Sequence, residues 1–154
     1  MKTSEEVALS AQRLSKVDTL FVWGASGEII SEKVINRGIQ IAPERYNFAM
    51  VEYLKRFIGK HVWCFDCIGL VKKCADVFED IPTDELFHLA TESGTIETIP
   101  NIPGILVYMP NHVGIYVGNG EVIESSYAVG VGFGVVKTKG RPWTHWFKSH
   151  WIQY

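Results

Sequence analysis

The hydrophobic and polar positions divide the chain into a helical first part and a strand-rich last part. Thr3 and Glu6 have the spacing of a capping box ahead of an apolar stripe, which predicts a helix over residues 4–16. The pattern also predicts a short helix over residues 31–38 and a core-facing helix within residues 43–59. Between the first two of these helices, residues 19–29 are expected to form a short apolar segment broken by a glycine turn.

A further helical stripe begins near Asp66 and is expected to stop before Pro82. Its apolar members recur at helical spacing, and they are Cys67, Leu70, Val71, Cys74, Ala75 and Phe78. The charged residues of this segment fall off the stripe. Cys67 is therefore predicted to lie in the first turn of a helix, on its buried face.

From about residue 100 the hydrophobic period becomes that of β-strands. Short apolar runs cover residues 104–109, 112–117 and 121–126, and Pro-Asn and Gly-Asn-Gly separate them. Helices followed by antiparallel strands predict an α+β fold, with the N-terminal helices packed on a C-terminal sheet. Because the chain has no repeats or linkers, we expect one domain over residues 1–154.

Composition and charge exclude several classes of partner. A net charge of −2 leaves no basic patch of the kind that binds nucleic acid. No apolar run reaches the roughly 18 residues of a membrane span. The N-terminus lacks the order of regions found in a secretory signal, so we expect synthesis in the cytoplasm. Oligomeric state leaves no trace in the sequence.

Cys67 is the candidate nucleophile. A cysteine attacks as its thiolate, which a helix N-terminus favours and the neighbouring Asp66 disfavours, so a histidine partner is needed. Of the five histidines, His112 opens a strand and shares one face of it with Gly114. The remaining face of that strand is apolar and is expected to pack in the core.

The hairpin after His112 determines which residue can orient its ring. A two-residue turn at Asn119-Gly120 would place Glu124 opposite Ile115, on the apolar side. A three-residue loop instead pairs Ile123 with Ile115 and places Glu124 diagonally to His112, across the gap left by Gly114. We therefore predict the second register and a Cys67–His112–Glu124 set of nucleophile, base and orienting acid.

Other interpretations of the cysteines remain open. Cys64 and Cys67 have the CxxC spacing of a redox pair, although no thioredoxin-like βαβ pattern accompanies it, and a reversible disulfide between them is a separate hypothesis. A zinc site would need His61 and Cys74 as well, but Cys74 lies about 10 Å along the same helix. Cys74 is expected to be core packing, as are the tryptophans near the C-terminus.

Three segments together resemble the NlpC family of cell-wall cysteine peptidases. FDCIGLV (65–71) is similar to that family's Asp-Cys-Ser-Gly-Leu-Val motif, and the segment beginning HVGIYV (112–117) is similar to its histidine strand and hairpin. LFVWGASGE (20–28) looks like its upstream Tyr-Val-Trp-Gly-Gly segment. In this chain Phe21 replaces the tyrosine and Ile68 the serine. The long insert before Cys67 also resembles phage wall hydrolases.

The resemblance implies a papain-like α+β fold and hydrolysis of peptidoglycan stem peptides, often next to D-γ-glutamyl residues, with no metal or cofactor. It gives the catalytic positions to Cys67, His112 and Glu124. Substrate contacts are expected from Asp66, Trp23 and Phe21. The site of action would be the cell wall, reached by a non-Sec route or by cell lysis. The alternatives are an amidase or acyltransferase using the same dyad, and a degenerate wall-binding or phage structural module.

Overall fold

The computed structural model describes all 154 residues and contains five α-helices and nine β-strands. The helices are α1 (Ser4–Leu14), α2 (Glu32–Ile41), α3 (Phe48–Lys55), α4 (Cys67–Ala75) and α5 (Thr83–His88). The strands are β1 (Thr19–Phe21), β2 (Ser26–Ile29), β3 (Trp63–Phe65), β4 (Glu92–Thr95), β5 (Leu106–Met109), β6 (His112–Gly118), β7 (Glu121–Ser126), β8 (Gly134–Lys139) and β9 (His145–Lys148). Short 3-10 turns cover Pro43–Arg45 and Ile96–Thr98.

Six of the strands form an antiparallel sheet in the order β4-β9-β5-β6-β7-β8. Helices α1 and α4 pack on one face of this sheet. The largest core cluster joins Val7 of α1 and Leu70 of α4 to Ile115, Ile123 and Phe147 of the sheet. The predicted α+β fold is therefore confirmed, with Cys67 at the start of a helix that packs against the sheet.

The first helices follow the predicted stripes but differ at their ends. Thr3 forms the predicted capping box with Glu6. Helix α2 runs through Gly38 to Ile41, beyond the predicted stop. The single helix predicted within residues 43–59 is instead a 3-10 turn followed by α3, which Asn47 caps. An N-cap side chain competes with a continuous helix at that point.

Helix α4 is shorter than predicted. It ends at Ala75 because Asp76 takes the left-handed conformation, with φ of 57°. Phe78, predicted to continue the buried stripe, is 90% exposed as a result. The apolar spacing thus identified the buried face of α4 correctly but not its last residue.

A small second sheet lies beside the main one and was not predicted. Its strand order is β1-β3-β2, and β1 pairs with β3 in parallel, with Leu20 opposite Cys64. Strands β1 and β3 have three residues each, too few to show an alternating pattern. This sheet matters for the site, because β3 leads directly into α4.

None of the five helices has the length and apolar character needed to cross a membrane.

Candidate active site

Cys67 is the first residue of α4, and its side chain is 6% exposed. Its sulfur lies 3.7 Å from the hydroxyl oxygen of Thr83 and 3.9 Å from the carbonyl oxygen of Asn111. The N–H groups of Cys67 and Ile68, in the first turn, have no intrahelical acceptor. The sulfur therefore sits beside potential hydrogen-bond donors at the start of a helix.

Asp66 fixes the start of this helix. Its Oδ1 accepts a hydrogen bond from the N–H of Gly69 at 2.7 Å, and its Oδ2 accepts one from the N–H of Gly24 at 2.8 Å. A side chain at Gly69 would collide with the carbonyl oxygen of Ala25, only 1.9 Å from its Cβ position. Asp66 accepts both hydrogen bonds and does not line the cleft around Cys67, and the expected contact of Asp66 with substrate stays a prediction.

His112 begins β6 and is held by Glu124 of β7. Nε2 of His112 lies 2.8 Å from Oε1 of Glu124. Ile115 pairs with Ile123, which is the predicted register. The loop is nevertheless the two-residue turn Asn119-Gly120, with positive φ at both positions, and a bulge at Val117 restores the register.

Glu124 is fully buried, and three side chains hold it. Besides His112, the Thr138 hydroxyl donates to Oε2 at 2.6 Å, and Arg141 donates from Nη2 to Oε1 at 3.1 Å. The Arg141 Nε lies 3.3 Å from both carboxylate oxygens. Burial raises the pKa of Glu124, but the hydrogen bonds from these three partners outweigh it and leave the pKa lowered.

Sequence reasoning missed Thr138 and Arg141. The alternation of side chains along β8 could have indicated Thr138. Thr138 pairs with Val122, and Val122 lies on the same face of β7 as Glu124. Arg141 lies beyond the end of β8, where no strand or helix periodicity predicts which way its side chain points.

The ring of His112 is stacked on Trp143, with centroids 5.3 Å apart and planes 9° from parallel. The Trp143 ring also covers Gly114, where a Cβ would be 3.0 Å from it. We expected Glu124 to approach the imidazole through the gap above Gly114. Trp143 occupies this gap, and Glu124 nevertheless bonds to the imidazole.

The charge of His112 is favoured by its neighbours. Burial lowers its pKa, but the nearby Cys67 and the hydrogen bond with Glu124 raise it to about 9 overall. Because Nε2 is bonded to Glu124, Nδ1 is the ring nitrogen left for Cys67. This arrangement can abstract a thiol proton and keep it on an oriented ring.

Helix α5 supports the turn that carries Asn111. Oδ1 of Asp84 accepts hydrogen bonds from the Asn111 N–H at 3.0 Å and from the Tyr108 hydroxyl at 2.7 Å. These two bonds hold the pKa of Asp84 below its usual range. Asn111 has φ of 62°, so Asp84 stabilises a left-handed residue immediately before His112.

Cys67 and His112 open into a cleft of about 590 Å³. Phe21 and Trp23 line it, and both pack against Tyr127, with ring centroids 4.8 and 5.5 Å away. Phe21 is almost fully buried beneath the other two rings. The two aromatic residues predicted to contact substrate thus lie in the cleft, and their binding role remains a prediction.

The remaining cysteines lie apart from this chemistry. Cys64 is fully buried in the second core cluster, whereas Phe65 and Cys67 belong to the first cluster. The two cysteines of the CxxC therefore pack in different parts of the core. Burial raises the pKa of the Cys64 and Cys74 thiols to about 12. All three cysteines are free, and no three His, Cys, Asp or Glu side chains are grouped to hold a metal ion.

Solved structures with the same fold were found among peptidoglycan hydrolases and related proteins. The peptidoglycan hydrolase RipB of Mycobacterium tuberculosis matches with a TM-score of 0.58 at 17% identity, over 98% of this chain and 65% of that one. NlpC2 of Trichomonas vaginalis gives 0.56 at 20% identity, over 97% of this chain and 47% of that one. The P60 domain of an antigen from M. avium subspecies paratuberculosis gives 0.55 at 16% identity, over 98% of both chains.

The chain thus spans about two thirds of the RipB structure and less than half of NlpC2. No curated protein matches it in sequence. These similarities give no support to the phage origin expected from the insert before Cys67. The model of the NlpC/P60 family matches residues 52–152, a range that includes Cys67, His112 and Glu124. With most of its length matched in this way, the chain belongs to the NlpC/P60 family.

Proposed function

We propose that the protein is a cysteine endopeptidase that hydrolyses amide bonds in peptidoglycan stem peptides. The observation that carries the proposal is that Cys67 and His112 line one cleft, while the buried Glu124 holds the far side of the imidazole. Nucleophile, base and orienting acid are recognised by such roles rather than by chain order.

In the proposed reaction, His112 takes the proton of the Cys67 thiol and the sulfur attacks the amide carbonyl carbon. The backbone N–H of Cys67, unpaired in the first helical turn, stabilises the oxyanion. His112 then returns the proton to the departing amine, which leaves a thioester on Cys67. A water molecule, deprotonated by His112, attacks the thioester and releases a carboxylic acid and the free thiol.

Membership of the NlpC/P60 family and the similarity to RipB support peptidoglycan as the substrate and the cell wall as the site of action. The cleft is partly aromatic and has a volume of about 590 Å³, which is within the usual range for ligand sites. We propose cleavage next to a D-γ-glutamyl residue.

Digestion of purified muropeptides tests the proposal. Wild type should release products with new amino and carboxyl termini, Cys67→Ala should release none, and Cys74→Ala, which alters a buried cysteine away from the cleft, should retain activity. Mass spectrometry of the products distinguishes an endopeptidase from an amidase or an acyltransferase. Equal digestion by wild type and Cys67→Ala would refute the assignment.

A further inference from the structure

We propose that Arg45 forms, with Trp23 and Tyr127, a subsite that binds a carboxylate of the peptide substrate. This inference rests on the proposed function for its substrate class. It concerns residues that would bind the substrate, not the Cys67 and His112 side chains proposed to react with it.

The guanidinium of Arg45 has a defined position although the side chain is exposed. Its central carbon lies 5.9 Å from the ring centroid of Trp23 and 5.2 Å from that of Tyr127. Those two rings pack on each other and on Phe21. Stacking on aromatic faces holds the guanidinium in place and leaves the N–H groups at its edge free to donate.

Arg45 also has no partner for its charge. Arg37 pairs with Glu28 and Arg141 pairs with Glu124, whereas no carboxylate lies within 4.0 Å of Arg45. Its side chain makes no hydrogen bond within the protein. A planar guanidinium presented in this way matches the two oxygen atoms of a carboxylate.

The position of Arg45 puts it in the path of a ligand that reaches Cys67. Arg45, Trp23 and Tyr127 line both the cleft that contains Cys67 and an adjoining cavity of about 240 Å³. Glu44 is the only carboxylate on these walls, and its charge opposes binding of an anion. Removing the charge of Glu44 should therefore have the opposite effect to removing that of Arg45.

Two residues of this wall lie outside the part of the chain that the family model matches. Trp23 and Arg45 precede residue 52, where the match to the family model begins. The family match therefore gives no residue at these two positions, and the specificity argued here comes from the cleft alone.

The test uses two synthetic peptides, L-Ala–γ-D-Glu–L-Lys with a C-terminal amide, and the same peptide with the free glutamyl carboxyl also amidated. Wild type should show a KM roughly fivefold lower for the carboxylate form, the size expected of an exposed ion pair, with similar kcat. Arg45→Gln should lose this preference, and Glu44→Gln should increase it. Arg56→Gln removes an exposed charge outside the cleft and should leave the preference unchanged.

Binding of the same peptides to Cys67→Ala, measured by calorimetry, separates the two proposals. Tighter binding of the carboxylate peptide that disappears in the Cys67→Ala, Arg45→Gln double variant supports the subsite even if wild type cleaves neither peptide. Cleavage that depends on Cys67 but ignores the carboxylate would overturn the subsite and leave the proposed function intact. Absence of binding by either peptide would also overturn it.

Discussion

Replacing Arg141 by methionine should destabilise the protein because Glu124 would lose its guanidinium partner. Two N–H groups of Arg141 lie 3.1–3.3 Å from the fully buried carboxylate. Hydrogen bonds to charged groups contribute about 1.5–3 kcal/mol each, and breaking a buried ion pair costs about 3–5 kcal/mol. Arg141 is 20% exposed, and His112 and Thr138 remain bonded, so we expect a loss of about 2 kcal/mol at neutral pH.

The same substitution should change how stability depends on pH. The pKa of Glu124 is lowered below its ordinary value of 4.5, so its stabilising effect is present above that value and is lost as pH falls through the folded pKa. Without Arg141 the pKa of Glu124 should rise. The stability difference between wild type and Arg141→Met should therefore be largest at pH 7 and smaller near pH 4.

Urea unfolding at these two pH values measures both effects. Arg141→Lys should recover part of the loss, since it keeps the charge but not the two-pronged geometry. Arg56→Met, which removes an exposed arginine without an ion pair, is the matched control. A free energy of unfolding for Arg141→Met within about 0.5 kcal/mol of that control at pH 7 would refute the reasoning.

Two further predictions concern the ring of His112. Its pKa is raised from 6.5 to about 9, so its stabilising contribution, up to about 3 kcal/mol, should be complete below pH 6.5 and disappear as pH rises through 9. Urea unfolding of wild type and His112→Gln from pH 6 to 10 measures this, and a constant difference would contradict it. Gly114→Ala would place a Cβ 2.6 Å from Val122 and 3.0 Å from the Trp143 ring, so we expect a loss of about 1–3 kcal/mol and lower peptidase activity. Unfolding followed by tryptophan fluorescence, with activity measured in parallel, checks this, and unchanged values would exclude the predicted contact.

The sequence predicted those parts of the site that depend on local periodicity. The stripe from Cys67 to Ala75 identified the helix and its buried face, because helical spacing is a property of neighbouring turns. The register of the hairpin followed from the cost of placing the Glu124 charge among apolar side chains, and the coordinates have that register. The turn that achieves it was wrong, since no pattern in the sequence indicates a bulge at Val117.

The parts that could not be predicted depend on contacts between distant residues. Trp143 stacks on His112 from 31 positions away, and Arg141 reaches Glu124 from 17 positions away. No helix or strand periodicity fixes the direction of either side chain, because both residues follow β8 in an irregular segment. The small sheet was missed for a related reason, since strands as short as β1 and β3 are specified by their pairing with each other and not by their own composition.

The two-sided contact of Asp66 has a consequence for how such a protein can change over evolutionary time. One carboxylate ties the beginning of α4, which carries Cys67, to the loop next to Trp23, and both of its bonds are to backbone N–H groups. If Arg45 selects the ligand as proposed, substitutions around it can change the preference for ligands without changing the residues that hold Cys67. The proposed reaction and the proposed selectivity would then depend on different side chains, with Asp66 bonded to the backbone next to each.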